Sequence, residues 1–248
     1  MEKRGVLIPG LSMAASELEQ FSDFLALENP EVGTGQMLPV DAYSLLDLAK
    51  IHAEKIAAAF DGSRFEESQP LLVVGISMGG MIASHLATDL RQHLPKHCRF
   101  AFLVTSANIR EHPAIPERLL TEWSRMKGEQ LDAVRPAFAP LFSPDFLKDH
   151  PERFDAYCEY RIRRGNRQTA KSFYRQVQAI QRFDGAKTFA ALRPNESLFI
   201  SGSDDQLFGP PHAKILGQLA PAAEHRIVAG LGHMIHLERP DLLQAASF

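Results

Sequence analysis

The sequence has little of several features that would define a protein class. Its only cysteines, Cys98 and Cys158, are far apart and lack the spacing of a metal site or a C-x-x-C motif. We therefore expect two buried free thiols in a reducing compartment. No apolar run reaches the roughly eighteen residues of a membrane-spanning helix, and no repeat or low-complexity tract is visible.

Charge of one sign is not in excess either. The chain has 27 Lys and Arg against 30 Asp and Glu, a formal net charge of −3 and a pI near 6.4. Nucleic acid and anionic membranes call for a basic surface, so neither is expected as a partner. The apolar stretch before Pro9 is too short for a signal peptide, which predicts a cytoplasmic protein.

Length and composition are those of an ordinary globular protein. The 248 residues are 45% hydrophobic and 23% charged, which suits one large α/β domain or a core with an insertion.

The most informative stretch is Leu-Leu-Val-Val-Gly-Ile-Ser-Met-Gly-Gly at residues 71–80. A short apolar run followed by apolar residues at helical spacing predicts a buried strand, a turn and a helix, with Ser77 at the turn. A sharp strand-to-helix turn leaves no room for a Cβ at its flanks, where Gly75 and Gly79 stand. The pattern predicts an exposed nucleophilic serine; the alternative is a loop serine that caps the helix.

Strand and helix signals alternate along the chain. Apolar runs predict strands at 5–8, 36–39, 71–75, 99–105, 197–201 and 224–228, and amphipathic spacing predicts helices at 14–27, 45–60, 213–219 and after Pro240. This alternation predicts an α/β fold with a mostly parallel sheet of about six strands and flanking helices. From Ile109 to Arg193 the strand signals stop. We therefore predict a core of residues 1–108 and 194–248 with a helical cap inserted at 109–193.

Candidate partners for Ser77 follow two later strands, at the sheet edge where parallel sheets bind ligands. Asp204 and Asp205 follow the strand at 197–201, and His233 follows Gly230-Leu-Gly232. A serine hydroxyl is a weak nucleophile that needs an adjacent base, usually a histidine oriented by a carboxylate. The chain order Ser, Asp, His is that of an α/β-hydrolase.

Three motifs resemble those of the α/β-hydrolase superfamily. They are Gly75-Ile-Ser77-Met-Gly79-Gly80, Gly202-Ser-Asp-Asp205 and Gly230-Leu-Gly232-His233-Met-Ile-His236-Leu-Glu238-Arg-Pro240. The last is similar to the histidine segment of small esterases and C–C bond hydrolases with helical caps. The resemblance implies Ser77 as nucleophile, His233 as base and Asp205 as acid, with no metal or organic cofactor. Asp204 stays open as the acid and His236 as the base.

The resemblance also implies two backbone donors for an oxyanion, the amides of Met78 and Leu11. Relatives usually carry His-Gly where this chain has Pro9-Gly10. A backbone donor survives that difference because the side chain before the glycine is not the donor. Ser12 is either a hydroxyl contact for the substrate or a plain turn serine.

The predicted cap should contribute to the substrate pocket, with Trp123, Phe138 and Phe142 as candidate walls beside Ser12. Residues 153–187 carry nine Lys or Arg against three acids. On a helix, Arg167, Lys171, Arg175 and Arg182 fall on the face opposite Phe173, Val177 and Ile180. This face is either a solvated surface or a docking surface for an acidic carrier. The second reading fits a resemblance to pimeloyl-acyl-carrier-protein methyl ester esterases.

The predicted function is hydrolysis of a carboxylic ester through an acyl-serine intermediate, by an enzyme of carboxylesterase type. A C–C bond hydrolase of the ring-cleavage type would share the triad and the cap. A non-catalytic binding protein with the hydrolase fold is the alternative from another class, because fold does not fix function. Haloalkane dehalogenase chemistry is not expected with a serine at the turn, since that reaction uses a carboxylate there.

Overall fold

The strand that precedes Ser77 lies inside a six-stranded parallel sheet. The computed structural model describes residues 3–110, 114–126, 131–164 and 168–244. The strands are β1 (Gly5–Ile8), β2 (Phe24–Ala26), β3 (Leu71–Ile76), β4 (Cys98–Leu103), β5 (Ser197–Gly202) and β6 (Glu224–Val228). Their order is β2-β1-β3-β4-β5-β6, and every neighbouring pair is parallel. The predicted sheet of about six strands is confirmed.

Helices cover both faces of the sheet, which is why its central strands are apolar throughout. Val73 and Phe100 point to the face covered by α1 (Leu45–Ala59) and α2 (Met78–Ala87). Val74 and Leu103 point to the opposite face, where Leu18 and Ile235 pack. The remaining core helices are α9 (Pro210–Leu219), α10 (Ile235–Glu238) and α11 (Pro240–Gln244).

The predicted helix at 14–27 and the predicted strand at 36–39 are both wrong. A single 3-10 turn spans Ala15–Leu18, and the chain then enters β2, whose residues pair with Gly5–Leu7 of β1. A Cβ on Gly5 would lie 2.3 Å from the Leu72 carbonyl oxygen of β3 and 3.0 Å from the Phe24 ring of β2, so the glycine makes room for both neighbouring strands. Residues 36–39 form an irregular segment, and Pro39 has no N–H to donate to a sheet.

A helical insertion separates β4 from β5. Its described helices are α3 (Ala114–Met126), α4 (Leu131–Phe138), α5 (Pro144–Asp149), α6 (Pro151–Arg164), α7 (Ala170–Arg182) and α8 (Ala186–Ala190), and no strand occurs among its described residues. Phe142 lies in its interior, with ring centroids 5.2–5.5 Å from those of Phe146, Phe154 and Tyr157. The limits 109–193, and the role of this segment as a separate cap domain, stay predictions.

Two expectations from the composition concern cysteines and membranes. Cys98 and Cys158 are both buried and unbonded to each other, as predicted, and burial raises the pKa of each thiol to about 12. Within residues 3–110, 114–126, 131–164 and 168–244, no helix combines the length and apolarity that a membrane span needs.

A buried ion pair fastens α7 to the loop before α1. The Arg175 guanidinium donates to the Glu31 carboxylate and to the Val40 carbonyl. The side chain of Arg175 is 4% exposed and that of Glu31 is fully buried. Glu31 also accepts a hydrogen bond from the Leu38 amide at 3.1 Å, so the pair orders this irregular segment.

We expect Arg175→Met to lower the free energy of unfolding by about 3–5 kcal/mol, because it leaves the Glu31 carboxylate buried without its cation. Lys171→Met is the matched control on the same helix. The Lys171 side chain is 68% exposed and its ammonium lies 3.7 Å from Asp41, so we expect a change within about 0.5 kcal/mol. Urea unfolding of both variants measures the difference, and equal losses would show that the pair does not stabilise the fold.

Candidate active site

Ser77 lies between β3 and α2 in a backbone conformation that L-residues rarely adopt. Its φ is 54° and its ψ is −118°, and such strain persists only where the surroundings impose it. They do so here by close backbone packing. A Cβ on Gly75 would lie 2.3 Å from the Gly79 carbonyl oxygen, and one on Gly79 would lie 2.0 Å from the Ile8 carbonyl oxygen.

Hydrogen bonds to the backbone hold this turn in place. The Ser77 amide donates to the Leu103 carbonyl at 2.8 Å, which continues the ladder between β3 and β4. The Ser77 carbonyl accepts from the Thr105 hydroxyl at 2.8 Å and from the Gly80 amide at 2.9 Å. The side chain of Ser77 is left to project above the carboxyl end of the sheet.

His233 connects Ser77 to Asp205. The His233 Nε2 atom lies 3.0 Å from Ser77 Oγ, and its Nδ1 atom lies 2.8 Å from Asp205 Oδ2. The other carboxylate oxygen of Asp205 accepts the Leu207 and Phe208 amides at 2.8 and 2.9 Å. With its proton on Nδ1, the imidazole can donate to Asp205 and accept a proton from Ser77 at Nε2.

Asp205 and not Asp204 makes this contact. The Asp204 carboxylate instead accepts from its neighbour, the Ser203 hydroxyl, at 2.6 Å. The loops after β5 and β6 run close together, since a Cβ on Gly202 would lie 2.0 Å from the Leu231 carbonyl oxygen. This close approach brings Asp205 within reach of His233.

The loop that carries His233 is bound to the helical insertion. The His233 and Met234 amides both donate to the Leu141 carbonyl, at 2.7 and 3.1 Å. Gly230 adopts a φ of 67°, which glycine tolerates. A Cβ on Gly232 would lie 2.5 Å from the Ser143 amide nitrogen, so the insertion packs directly on this glycine.

His236 is buried beside the site and does not contact Ser77. Its side chain is 1% exposed, and neither ring nitrogen has a hydrogen-bond partner among the described residues. Burial, followed by the charges of His233 and Arg161, lowers the pKa of His236 to about 3. This imidazole is therefore neutral at ordinary pH and belongs to the packing of α10.

The two predicted oxyanion donors lie near the serine. Met78 is the first residue of α2, so its amide is among those without an intrahelical acceptor. Leu11 lines the same cavity as Ser77 and His233. Gly10 lets the loop pass close to the serine, because a Cβ on it would lie 3.3 Å from Ser77 Cβ.

Asn29 and His52, which are not predicted as site residues from the sequence, hold the loop after β1. The Asn29 amide donates to the Pro9 carbonyl at 3.0 Å, and its oxygen lies 2.8 Å from His52 Nε2. The sequence places His52 on the apolar face of α1 but gives no sign that it reaches Asn29. Burial, followed by the charge of Lys55, lowers the pKa of His52 to about 3.

This lowered pKa predicts acid sensitivity. An unfolded histidine has a pKa near 6.5, so the neutral His52 contributes stability that is present above that pH and lost as pH falls toward 3. At pH 5 the loss is on the order of 2 kcal/mol. Between pH 7 and pH 5, we expect the free energy of unfolding to fall by about 2 kcal/mol less in His52→Gln than in wild type, as measured by urea unfolding. His93 is exposed, and His93→Gln serves as the control. If His52→Gln lost as much stability as wild type between these two pH values, the prediction would be contradicted.

The cavity at Ser77 is narrow, with a volume of about 40 Å³. It is lined by Gly10, Leu11, Met13, Ile76, Ser77, Leu119, Glu122, Leu141, Tyr157, Arg161, Ile180, Leu207, Phe208, His233 and Met234.

The predicted walls Phe138 and Phe142 are wrong. Both rings pack on Tyr157 inside the insertion, where helix-to-helix contacts bury them. Ser12 is buried too and does not line this cavity, although its carbonyl accepts from the cavity-lining Arg161 at 3.0 Å. Trp123 belongs to α3, and its side chain lies outside the described residues.

Charged residues in the cavity wall were not anticipated. Arg161 of α6 and Glu122 of α3 line the cavity, and Arg161 pairs with Glu17 at 3.2 Å. These residues are far apart in sequence, and nothing in the basic composition of α6 distinguishes Arg161 from its exposed neighbours. No group of three or more metal-ligating side chains that could hold an ion is found among the described residues.

The predicted carrier-docking face is wrong at Arg175. That side chain is buried against Glu31, because α7 packs more of its surface on the core than a one-sided helix would. Lys171 and Arg182 are exposed on α7, and Arg167 lies outside the described residues. Docking of an acyl carrier through Lys171 and Arg182 stays a prediction.

Comparison with known proteins gives the same fold. The sequence profile of the alpha/beta hydrolase family matches residues 6–246. Among solved structures, an alpha/beta hydrolase enzyme from a Medee basin deep-sea metagenome library is 18% identical with a TM-score of 0.74, covering 97% of this chain and 86% of that one.

Two further solved structures are similar at the same sequence identity. A malate-bound thermophilic esterase from Thermogutta terrifontis is 18% identical with a TM-score of 0.71, covering 97% and 86% of the two chains. An enol-lactonase from Burkholderia xenovorans LB400 is 18% identical with a TM-score of 0.68, covering 97% and 88%. At this identity the likeness shows the fold. No curated protein matches the sequence.

Proposed function

The chain belongs to the alpha/beta hydrolase family, and on that premise we propose that it is a serine esterase that cleaves a carboxylic ester. One observation carries the proposal, namely the continuous contact from Ser77 through His233 to Asp205. This is the arrangement that activates a serine hydroxyl for acyl transfer.

In the proposed reaction Ser77 Oγ attacks the ester carbonyl while His233 Nε2 takes its proton. Asp205 holds the imidazole and stabilises the imidazolium that forms. The Met78 and Leu11 amides donate to the oxyanion of the tetrahedral intermediate. His233 then donates the proton to the oxygen of the departing alcohol, and the acyl group remains on Ser77 as an acyl-serine. A water molecule, activated by the same histidine, attacks the acyl-serine and releases the carboxylic acid.

Structural neighbours support an ester as the substrate class. One is named a thermophilic esterase and another an enol-lactonase, and a lactone is a cyclic carboxylic ester. The predicted alternatives, a C–C bond hydrolase and a binding protein without activity, lead to different results in the test below.

The proposal is tested with a panel of p-nitrophenyl esters of increasing acyl length, together with labelling by a fluorophosphonate probe. We expect ester turnover and stoichiometric labelling. Labelling with weak ester turnover but cleavage of a vinylogous diketone acid would indicate the C–C bond hydrolase instead. Neither turnover nor labelling would indicate a non-catalytic protein.

A further inference from the structure

A larger cavity adjoins the one at Ser77. An outer cavity of about 340 Å³ lies between α3, α4 and the segment 139–141. It shares four lining residues with the cavity at Ser77, namely Leu119, Glu122, Leu141 and Leu207. About 40 Å³ beside the serine holds little more than water, so the outer cavity is where the rest of a substrate can lie. Of the four shared residues, Glu122 is the one with a charge.

Glu122 belongs to a buried cluster with an imbalance of charge. The Arg161 guanidinium lies 3.2 Å from the Glu17 carboxylate and 4.0 Å from that of Glu122. The side chains of Arg161, Glu17 and Glu122 are 3%, 5% and 13% exposed. One guanidinium therefore faces two carboxylates within this cluster of described residues, which leaves one negative charge when both are ionised.

Glu17 is the closer partner of Arg161. It accepts from Arg161 Nη1 and also from the Ala14 amide at 2.9 Å. Glu122 has no hydrogen-bond donor among the described residues. Arg118 stands one helical turn earlier in α3, where an ion pair is possible, but its guanidinium donates to the Gln206 carbonyl at 2.9 Å.

The surroundings of Glu122 disfavour its ionised form. Burial raises the pKa of its carboxyl above the ordinary value, the charges of Arg161 and His233 oppose the rise in part, and the charge of Glu17 adds to it. A positively charged group brought into the cavity would favour the ionised carboxylate and would replace the water it has lost.

We propose that Glu122 is a specificity-determining residue that binds a cationic group, such as an ammonium, on an ester held across the two cavities. The inference rests on the proposed esterase function and names its substrate class. Arg161 alone would favour an anionic substrate, but Glu17 and the Ser12 carbonyl already engage its guanidinium. The charge that remains to be matched is that of Glu122.

The test uses matched pairs of substrates that differ in one charge. On the acyl side the pair is p-nitrophenyl ω-aminohexanoate and p-nitrophenyl heptanoate. On the alcohol side it is acetylcholine and its neutral carbon analogue, 3,3-dimethylbutyl acetate. We expect wild type to prefer the cationic member of at least one pair by about tenfold or more in kcat/KM, the effect of one charge-assisted contact. This measurement needs no variant.

Glu122→Gln is expected to bring that preference, the ratio of kcat/KM for the cationic ester to kcat/KM for the neutral one, to within about threefold of unity. Glu159→Gln on α6, whose carboxylate pairs with Arg163 at the surface, is the matched control and should keep the preference. Wild type without a cation preference in either pair, or a preference that survives Glu122→Gln, would overturn the inference and leave the esterase proposal standing. No turnover of any ester would defeat both.

Discussion

Ser77→Ala is expected to lower kcat for a p-nitrophenyl ester by about four to six orders of magnitude, with little change in KM. The hydroxyl is the proposed nucleophile, and nothing replaces it at the turn between β3 and α2. The activity that remains should come from the oxyanion donors and binding alone. Steady-state kinetics with the best ester of the panel, on protein purified free of host esterases, measures the loss.

Ser84→Ala is the matched control for this variant. Ser84 lies on α2, seven residues after Ser77, and its hydroxyl donates to the Met81 carbonyl at 2.7 Å inside the core. Its loss removes this contact and a second one to the Thr188 hydroxyl at 3.2 Å and leaves the site intact, so we expect kcat within about threefold of wild type. Comparable rates in wild type and Ser77→Ala would place the nucleophile elsewhere and would defeat the proposed mechanism.

Asp205→Asn is expected to lower kcat by about three to four orders of magnitude. The reason lies in the amides that fix the Asp205 carboxylate. Leu207 and Phe208 donate to one oxygen, so an asparagine would keep its carbonyl oxygen there and turn its NH₂ group toward His233 Nδ1. That amide would donate to the imidazole and would place the ring proton on Nε2. The histidine could then no longer accept the proton of Ser77.

The control for this variant is its neighbour. Asp204→Asn makes the same chemical change one residue earlier, where the side chain accepts from the Ser203 hydroxyl, and we expect kcat within about threefold of wild type. A larger loss in Asp204→Asn than in Asp205→Asn would show that the wrong carboxylate is assigned. The two variants together decide a question that the sequence left open.

Much of the fold could be predicted because its signals are local. β3 and β4 are continuous apolar runs, and the glycines around Ser77 mark a turn whose geometry excludes a Cβ. The sequence predicts a helix at 14–27 because Leu18, Phe21 and Leu25 fit one face of a helix, and this prediction is wrong. In the structure Leu25 pairs with Val6 of β1, a partner that spacing within the segment cannot reveal.

The residues of the site also differ in whether a local signal predicts them. Ser77, His233 and an aspartate after β5 follow from motifs. The choice of Asp205 over Asp204 depends on which carboxylate the Leu207 and Phe208 amides hold. Glu17 and Arg161 meet across 144 residues. A contact of that kind is made by tertiary packing, so a single sequence without an alignment carries no sign of it.

The two hydrogen bonds from His233 and Met234 to the Leu141 carbonyl join the histidine loop to the helical insertion. If the segment 139–143 swings outward to admit a substrate, both bonds break, and the imidazole loses the support that aims it at Ser77. In that open conformation Ser77 would not be activated, and it would become reactive only after the insertion had closed over the substrate. Such a coupling would protect the nucleophile during the interval in which the site stands open to solvent.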